Sequence, residues 1–353
     1  MTSLLYDVLV IGAGPAGSQA AVSAAHQMRH VLVLEAGSVS NSRGRAYWSK
    51  SVPIEDAPVF PGGVTGPHLD KALKAWLAAF PVMSGKGGAM SGIEVRGGMV
   101  TNLAREGDAY VATASMKSLR AGSDLALETF RSRTVVIASG FEDAWPDIEV
   151  DHGADRWLSR YRSVFRYAGN RRGWHVCIRC DGHLHVNAHL AILGRGDYIY
   201  DAALGAQDFT DRITILTNGK PVAFSAPVAT QAAKRGIEVV EKPIAAHIGE
   251  GTSLMGLRFE DGEERFFDGF LVDEGLTPNT KFLAKTEVAT DEDGLLIVDG
   301  DGQVLGPDKA PLPGLFAAGD VVSGTRKLVS AAIGGGQNAG LAASDSLRRW
   351  QRP

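Results

Sequence analysis

Residues 6–37 read YDVLVIGAGPAGSQAAVSAAHQMRHVLVLEAG. A β-branched run leads into Gly12, Gly14, Ala16 and Gly17, an Ala-rich stretch of helical character follows, and a second apolar run ends at Glu35. This is the pattern of a βαβ unit built for a dinucleotide. The glycines let the backbone turn tightly and approach a pyrophosphate at a helix N-terminus, and Glu35 is placed to hydrogen-bond the adenosine ribose hydroxyls. A glycine motif alone reads equally as a structural turn; the strand before it, the helix after it and the acid beyond are what make it a fingerprint.

The rest of the chain bounds what such a unit can belong to. With 353 residues, two domains with separate cores are expected. A formal net charge of -4, with no basic run, excludes nucleic acid as the expected partner. No apolar run is long enough to span a membrane, and MTSLL leads into the first strand pattern without a signal core. The expectation is a cytoplasmic protein without a transmembrane segment. Two cysteines cannot staple a fold of this size. Both lie within WHVCIRCDG, residues 174–182, so they are expected to do chemistry.

Two residues between Cys177 and Cys180 put both sulfurs at a helix start, close enough to bond, with the helix N-terminus favouring a thiolate. That is a redox pair. His175, His183, His185 and His189 crowd around it. Zinc held by Cys177, Cys180, His183 and His185 is the competing reading, but zinc modules separate their ligand pairs by a longer loop, so no metal is expected. His175 either tunes thiol acidity or is an ordinary polar residue. Behind the cysteines, AHLAILGRGDYIYDAALGAQDFTDRITIL (188–216) gives a second strand, glycine turn, helix and strand. Far downstream, GLFAAGDVVSGTRKLVSAAIGGGQNAG (314–340) ends a strand in Gly319 and Asp320. An acid there can bind the ribityl hydroxyls of a flavin, and a following helix can point its N-terminus at the ring; the plain alternative is a turn.

Six patches in order, GAGPAG at 12, EDAPVFPGGVTG at 55, VVIASG at 135, CIRCDG at 177, GLTPNTKFL at 275 and GLFAAGD at 314, carry a resemblance over nearly the full chain. The chain resembles the low-molecular-weight thioredoxin reductases, FAD-dependent disulfide oxidoreductases with a Cys-x-x-Cys centre. The resemblance implies an α/β fold of two Rossmann-like, three-layer ββα-type nucleotide-binding domains. The FAD-binding domain would comprise residues 1–140 and 273–353, and the inserted domain with the cysteines residues 141–272. It further implies a homodimer and a thioredoxin-like or other dithiol/disulfide protein partner. FAD contacts would fall on Gly12, Gly14, Ala16, Gly17, Glu35, Ser139, Gly140, Gly319 and Asp320, with Asp56, Arg326 and Lys327 near the ring. Cys180 would face the flavin, Cys177 would exchange with the partner, and Asp181 would move the proton.

Departures from that family carry as much weight. In GRGDYIYDAA the glycines Gly194 and Gly196 remain, but Ile199 stands where a small residue lets helix and strand close, and Tyr198 and Tyr200 add bulk. The next strand ends in ILTNGKP, without the His-Arg-Arg cluster that grips the adenosine 2′-phosphate of NADPH; Lys220 and Arg195 are the nearby cations. Asp56 and Lys327 replace an asparagine and a glutamine of the family, and could pair or shift the flavin potential. Between Gly140 and Cys177 the chain is longer than the family pattern and rich in Trp, Tyr and Arg. The expectation is therefore a flavin-dependent dithiol/disulfide oxidoreductase that does not use NADPH. It resembles the diflavin-linked branch, in which a second FAD takes the vacated site, here beside Gly194, Gly196, Tyr198 and Tyr200. An ordinary reductase fed by NADPH or ferredoxin, and a redox sensor that binds FAD without turnover, are the alternatives.

Overall fold

The computed structural model describes residues 4–37, 53–85, 90–116, 126–146, 148–150, 164, 166–169 and 172–348. Much of the Trp- and Arg-rich stretch between Gly140 and Cys177, including residues 151–163, lies outside the described residues.

The β-branched run at the start forms β1 (Leu5–Ile11), whose Val8, Leu9 and Val10 are all buried, as a parallel strand covered on both faces requires. Proline at the first turn opens α1 (Pro15–His26), where its missing N–H costs nothing. The chain returns as β2 (His30–Glu35), parallel to β1 with Val8 opposite Val31. Across the sheet the order is Gln303–Leu305, Pro311–Ala317, Leu127–Ile137, β1, β2, Met90–Gly97 and Met83–Ser84. Strand Pro311–Ala317 runs parallel to Leu127–Ile137, so the two ends of the sequence complete one sheet.

Alanines of α1 and of the helix Val329–Asp345 cover one face of that sheet. The two helices meet where an added Cβ at Gly336 would lie 2.1 Å from the Ala16 carbonyl oxygen, and one at Gly340 would lie 2.4 Å from that of Ala20. Only glycine permits this approach. The other face packs on an antiparallel meander through Met99–Glu106 and Ala109–Ser115.

A second, wholly parallel sheet runs in the order Trp174–His175, Gly269–Val272, Leu190–Leu193, Ile213–Leu216 and Glu238–Val240. Ile199, Tyr200 and Ala203 of the helix Asp197–Ala206 pack on one face, and Leu254, Leu257 and Phe259 from a separate four-stranded sheet pack on the other. Each parallel sheet thus has helices on one side and antiparallel strands on the other, the α/β three-layer arrangement expected. Two short antiparallel strands, Phe141–Asp143 and Leu276–Pro278, carry the chain between the two sheets. Among the described residues no helix is long and apolar enough to cross a membrane.

Candidate flavin and disulfide site

The C-terminal ends of β1 and β2 open into a cavity of ≈ 970 Å³, at the large end of small-molecule sites. Gly12, Gly14, Ala16, Glu35, Asp56, Ser139, Gly140, Gly319, Asp320 and Lys327 all line it. Gly12 takes φ +102°, and a Cβ there would lie 2.5 Å from the Ala138 oxygen, so the turn needs glycine. A Cβ on Gly14 would meet nothing within 4 Å, which leaves the backbone at the start of α1 open to a ligand. Gly17 does not line the cavity; its Cβ would lie 1.9 Å from the Gly12 oxygen, so it closes helix on strand. The Glu35 carboxylate accepts from the Ala13 N–H at 2.6 Å and the Gly37 N–H at 2.9 Å, which fixes its orientation at the cavity wall.

The residues present fit a flavin dinucleotide. Beyond the open glycine, the Ser139 hydroxyl is buried on the cavity wall and has no hydrogen-bond partner, an arrangement that asks for a polar ligand. Asn279 donates to the Ser139 carbonyl at 3.0 Å and so ties the strand Leu276–Pro278 to this wall. Lys327 donates to the carbonyls of Asp320 and Val322 at 3.0 and 2.7 Å and sits 6.0 Å from the Phe141 ring. Arg326, expected near the ring, is exposed and does not line the cavity. The helix expected directly after Asp320 is a single 3-10 turn, Gly319–Val321; the long helix begins at Val329.

Cys177 and Cys180 form a disulfide. Cys177 caps the helix Ile178–Asp181, its sulfur accepting from the Cys180 N–H at 3.2 Å. A four-residue helix has little macrodipole, so this direct contact replaces the dipole effect expected from the sequence. Cys180 and Asp181 line the cavity and Cys177 does not. Asp181 is 5% exposed, and its Oδ2 lies 2.7 Å from Nδ1 of His175, itself 1% exposed. His185 is buried against the same ring, 5.1 Å away edge to face, and burial pushes its pKa down to about 4. His183 instead reaches Glu55 at 2.8 Å, near the cavity mouth. Among the described residues no cluster suited to a metal ion occurs.

The second glycine turn is differently built. Ile199 is fully buried, and a Cβ on Gly194 would lie 2.2 Å from its side chain, so the isoleucine fills the groove between helix and strand. The Tyr198 ring lies over Gly196, where an added Cβ would meet it at 2.6 Å. Tyr200 does not offer its ring as expected: it is 2% exposed, packed near Phe224, with its hydroxyl donating to Gln231 at 3.3 Å. Asp273 and Glu274, which the sequence pattern did not single out, act on this turn. Burial first, and then Asp143, Asp293 and Glu274, raise the Asp273 pKa, and after burial both acids raise that of Tyr198. At the end of strand Ile213–Leu216, Thr217 is buried and bonded to the Lys220 carbonyl, and the Asn218 side chain accepts from the Ile244 N–H at 2.9 Å.

The sequence pattern of the pyridine nucleotide-disulphide oxidoreductase family matches residues 6–336. The F component of alkyl hydroperoxide reductase in Pseudomonas putida is 28% identical over 357 residues, covering 99% of this chain and 59% of that protein. The chain therefore spans about three-fifths of the length of the curated relatives it matches. Thioredoxin reductase from Streptococcus pyogenes superposes with a TM-score of 0.73 at 21% identity, over 98% of this chain and 99% of that one. Thioredoxin reductase from Giardia duodenalis does so with a TM-score of 0.74 at 19% identity, over 97% and 98%. A glycine-turned cavity walled by one cysteine of a disulfide sits in a chain matched almost end to end: the chain belongs to the pyridine nucleotide-disulphide oxidoreductase family and has the fold of the thioredoxin reductases.

Proposed function

We propose that this protein passes electrons from an external dithiol through the Cys177–Cys180 pair to bound FAD, without NADPH. The observation that carries the reading is the asymmetry of the disulfide: Cys180 and Asp181 lie on the cavity wall and Cys177 lies off it, half-buried. Cys177 is then the sulfur that exchanges with a thioredoxin-like or other dithiol partner, and Cys180 the one that faces the flavin. Asp181 takes or returns the proton. FAD, held by Gly12, Gly14, Ala16, Glu35, Ser139, Gly140, Gly319 and Asp320, with Asp56 and Lys327 also on the wall, supplies a two-electron redox centre. Gly17 supports the glycine turn from behind, and Arg326 has no part in this reading.

Supporting NADPH independence, the second turn has Tyr198 over Gly196 and the carboxylates of Asp273 and Glu274 beside it, a poor place for a pyrophosphate. No guanidinium pair stands at Thr217–Gly219 to meet a 2′-phosphate. With that entrance closed, reducing equivalents enter through sulfur. The same features disfavour a second FAD there, since Tyr198 alone of the expected ring partners is exposed. One FAD per chain is the reading adopted. The two parallel sheets support a flavin domain of residues 1–140 and 273–353 around an inserted domain of 141–272. Homodimer assembly and a cytoplasmic location complete the proposal.

The test is anaerobic mixing of the oxidised holoprotein with dithiothreitol, reduced thioredoxin or NADPH, following flavin bleaching. The dithiols should bleach it, and NADPH should be slower by about two orders of magnitude, the loss of two charge-assisted phosphate contacts. Fast bleaching by NADPH returns the protein to the ordinary reductase class, and bleaching by neither leaves a sensor. FAD released from a weighed sample should stand near one per chain; a ratio near two restores the diflavin reading.

A further inference from the structure

Behind the disulfide lies a buried polar group that the family resemblance does not explain. His175 ends the strand Trp174–His175, which pairs with Gly269–Val272, and its ring turns under the helix Ile178–Asp181 to bond Asp181 at 2.7 Å. Its other nitrogen, Nε2, is buried without a partner, and so is Nε2 of His185.

We propose that His175 is a positioning residue for Asp181: it aims the carboxyl at the cavity and keeps one hydrogen bond to it whether the carboxyl carries a proton or not. This rests on the dithiol-to-flavin reading above. Closing the Cys177–Cys180 bond from two thiols releases two electrons and two protons. The electron pair and one proton go to the bound flavin, and the second proton needs a base. Asp181 is the carboxyl on the cavity wall beside Cys180. A contact of 2.7 Å between Nδ1 and Oδ2 holds one hydrogen. Nδ1–H donates to Oδ2 whether Asp181 is ionised or has taken a proton on its other oxygen.

Few titratable groups face this contact. The facing strands Gly269–Val272 and Leu190–Leu193 carry no titratable side chain. From the turn Gly182–His185, His185 faces the ring but stays neutral, since burial, then the neighbouring His175, push it down to about 4. His183 points away to Glu55, and Arg179 is exposed. Apart from Asp181, the helix contributes Cys177 and Cys180 themselves.

The experiment compares His175→Leu and His175→Asn with wild type. Leucine removes the donor to Asp181, whereas an amide N–H can still donate to the carboxyl. The reduced holoprotein is alkylated with iodoacetamide across pH, and modification of each cysteine is read by mass spectrometry. The pH profile of the Leu variant should shift by about one unit, the worth of one hydrogen bond, and that of the Asn variant should stay near wild type. Flavin bleaching by dithiothreitol should slow roughly a hundredfold in the Leu variant. An alkylation profile of the Leu variant identical to wild type overturns the proposal whatever the flavin does. Failure of dithiols to bleach the wild-type flavin strikes the function alone, because alkylation still reads the pair. If the Leu variant does not bind FAD, 15N-histidine NMR of the wild-type holoprotein decides. A His175 Nδ1 bonded to hydrogen in both the disulfide and dithiol forms supports the proposal; an imidazolium, or an Nε2–H tautomer in both, overturns it.

Discussion

Replacing His185 by leucine should flatten the acid side of the stability profile. His185 is 2% exposed, its Nε2 has no partner, and burial lowers its pKa from 6.5 to about 4. A group depressed on folding gives stability that is fully present above its unfolded pKa and lost as pH falls through the folded one. The window is therefore pH 6.5 down to about 4, where the unfolded chain binds the proton and the native protein refuses it. Over the whole window the loss is about 3 kcal/mol, and by pH 5 about 2 kcal/mol of it has gone. Wild type and His185→Leu would be unfolded in urea at pH 7.5, 6 and 5 at one fixed FAD concentration, since bound cofactor adds its own stability. Other titrating groups are common to both proteins, so the wild-type minus variant difference isolates this histidine. That difference should shift by about 2 kcal/mol against wild type between pH 7.5 and 5. A difference that stays flat to within about 0.5 kcal/mol would refute the claim that burial excludes the proton.

Four other substitutions read the site directly. After reduction, Cys177→Ser should leave the Cys180 thiolate beside the flavin and give a long-wavelength charge-transfer band, and Cys180→Ser should give none; the reverse pattern exchanges the two roles. Gly17→Ala drives a Cβ to 1.9 Å from the Gly12 backbone oxygen, which no side-chain motion relieves. It should cost about 2–4 kcal/mol in urea unfolding and strip FAD from the purified protein, whereas Gly14→Ala, whose Cβ meets nothing, should fold normally.

What the sequence made legible was whatever chemistry sits within one short run. The first βαβ unit, with Gly12, Gly17 and Glu35, could be read because turn, helix start and acid are fixed by local spacing. The cysteine pair was legible for the same reason. Tyr198 and Tyr200 were misjudged as a pair: on a helix, positions two apart point about 200° from one another, so one faces out when the other faces in. The resemblance puts Arg326 and Lys327 both near the ring, but the neighbours turn to different sides: Lys327 lines the cavity and Arg326 is exposed. His175 and Asp181 are six residues apart, but their contact depends on how strand and helix pack, which no period in the sequence encodes. Asp273 and Glu274 matter only because strand Gly269–Val272 ends beside Gly194, whose added Cβ would meet the Asp273 oxygen at 2.7 Å.

The pairing of Pro311–Ala317 with Leu127–Ile137 sets an order of events during synthesis. Every strand of the cysteine-bearing parallel sheet has been synthesised once Val272 has been made, and its contacts are comparatively local. The flavin sheet must wait for its strand Pro311–Ala317, and α1 must wait for the glycines of Val329–Asp345 before its alanine face is covered. At ordinary translation rates that interval is roughly 4–15 s. During it the first 137 residues carry an exposed strand edge and an uncovered apolar helix, the two features that invite aggregation. Asp320 belongs to the same late segment, so the cavity wall is incomplete until residue 320 has been made. A nascent chain truncated before Pro311 would display a foldable thiol unit beside a cavity still missing its Gly319 and Asp320 wall.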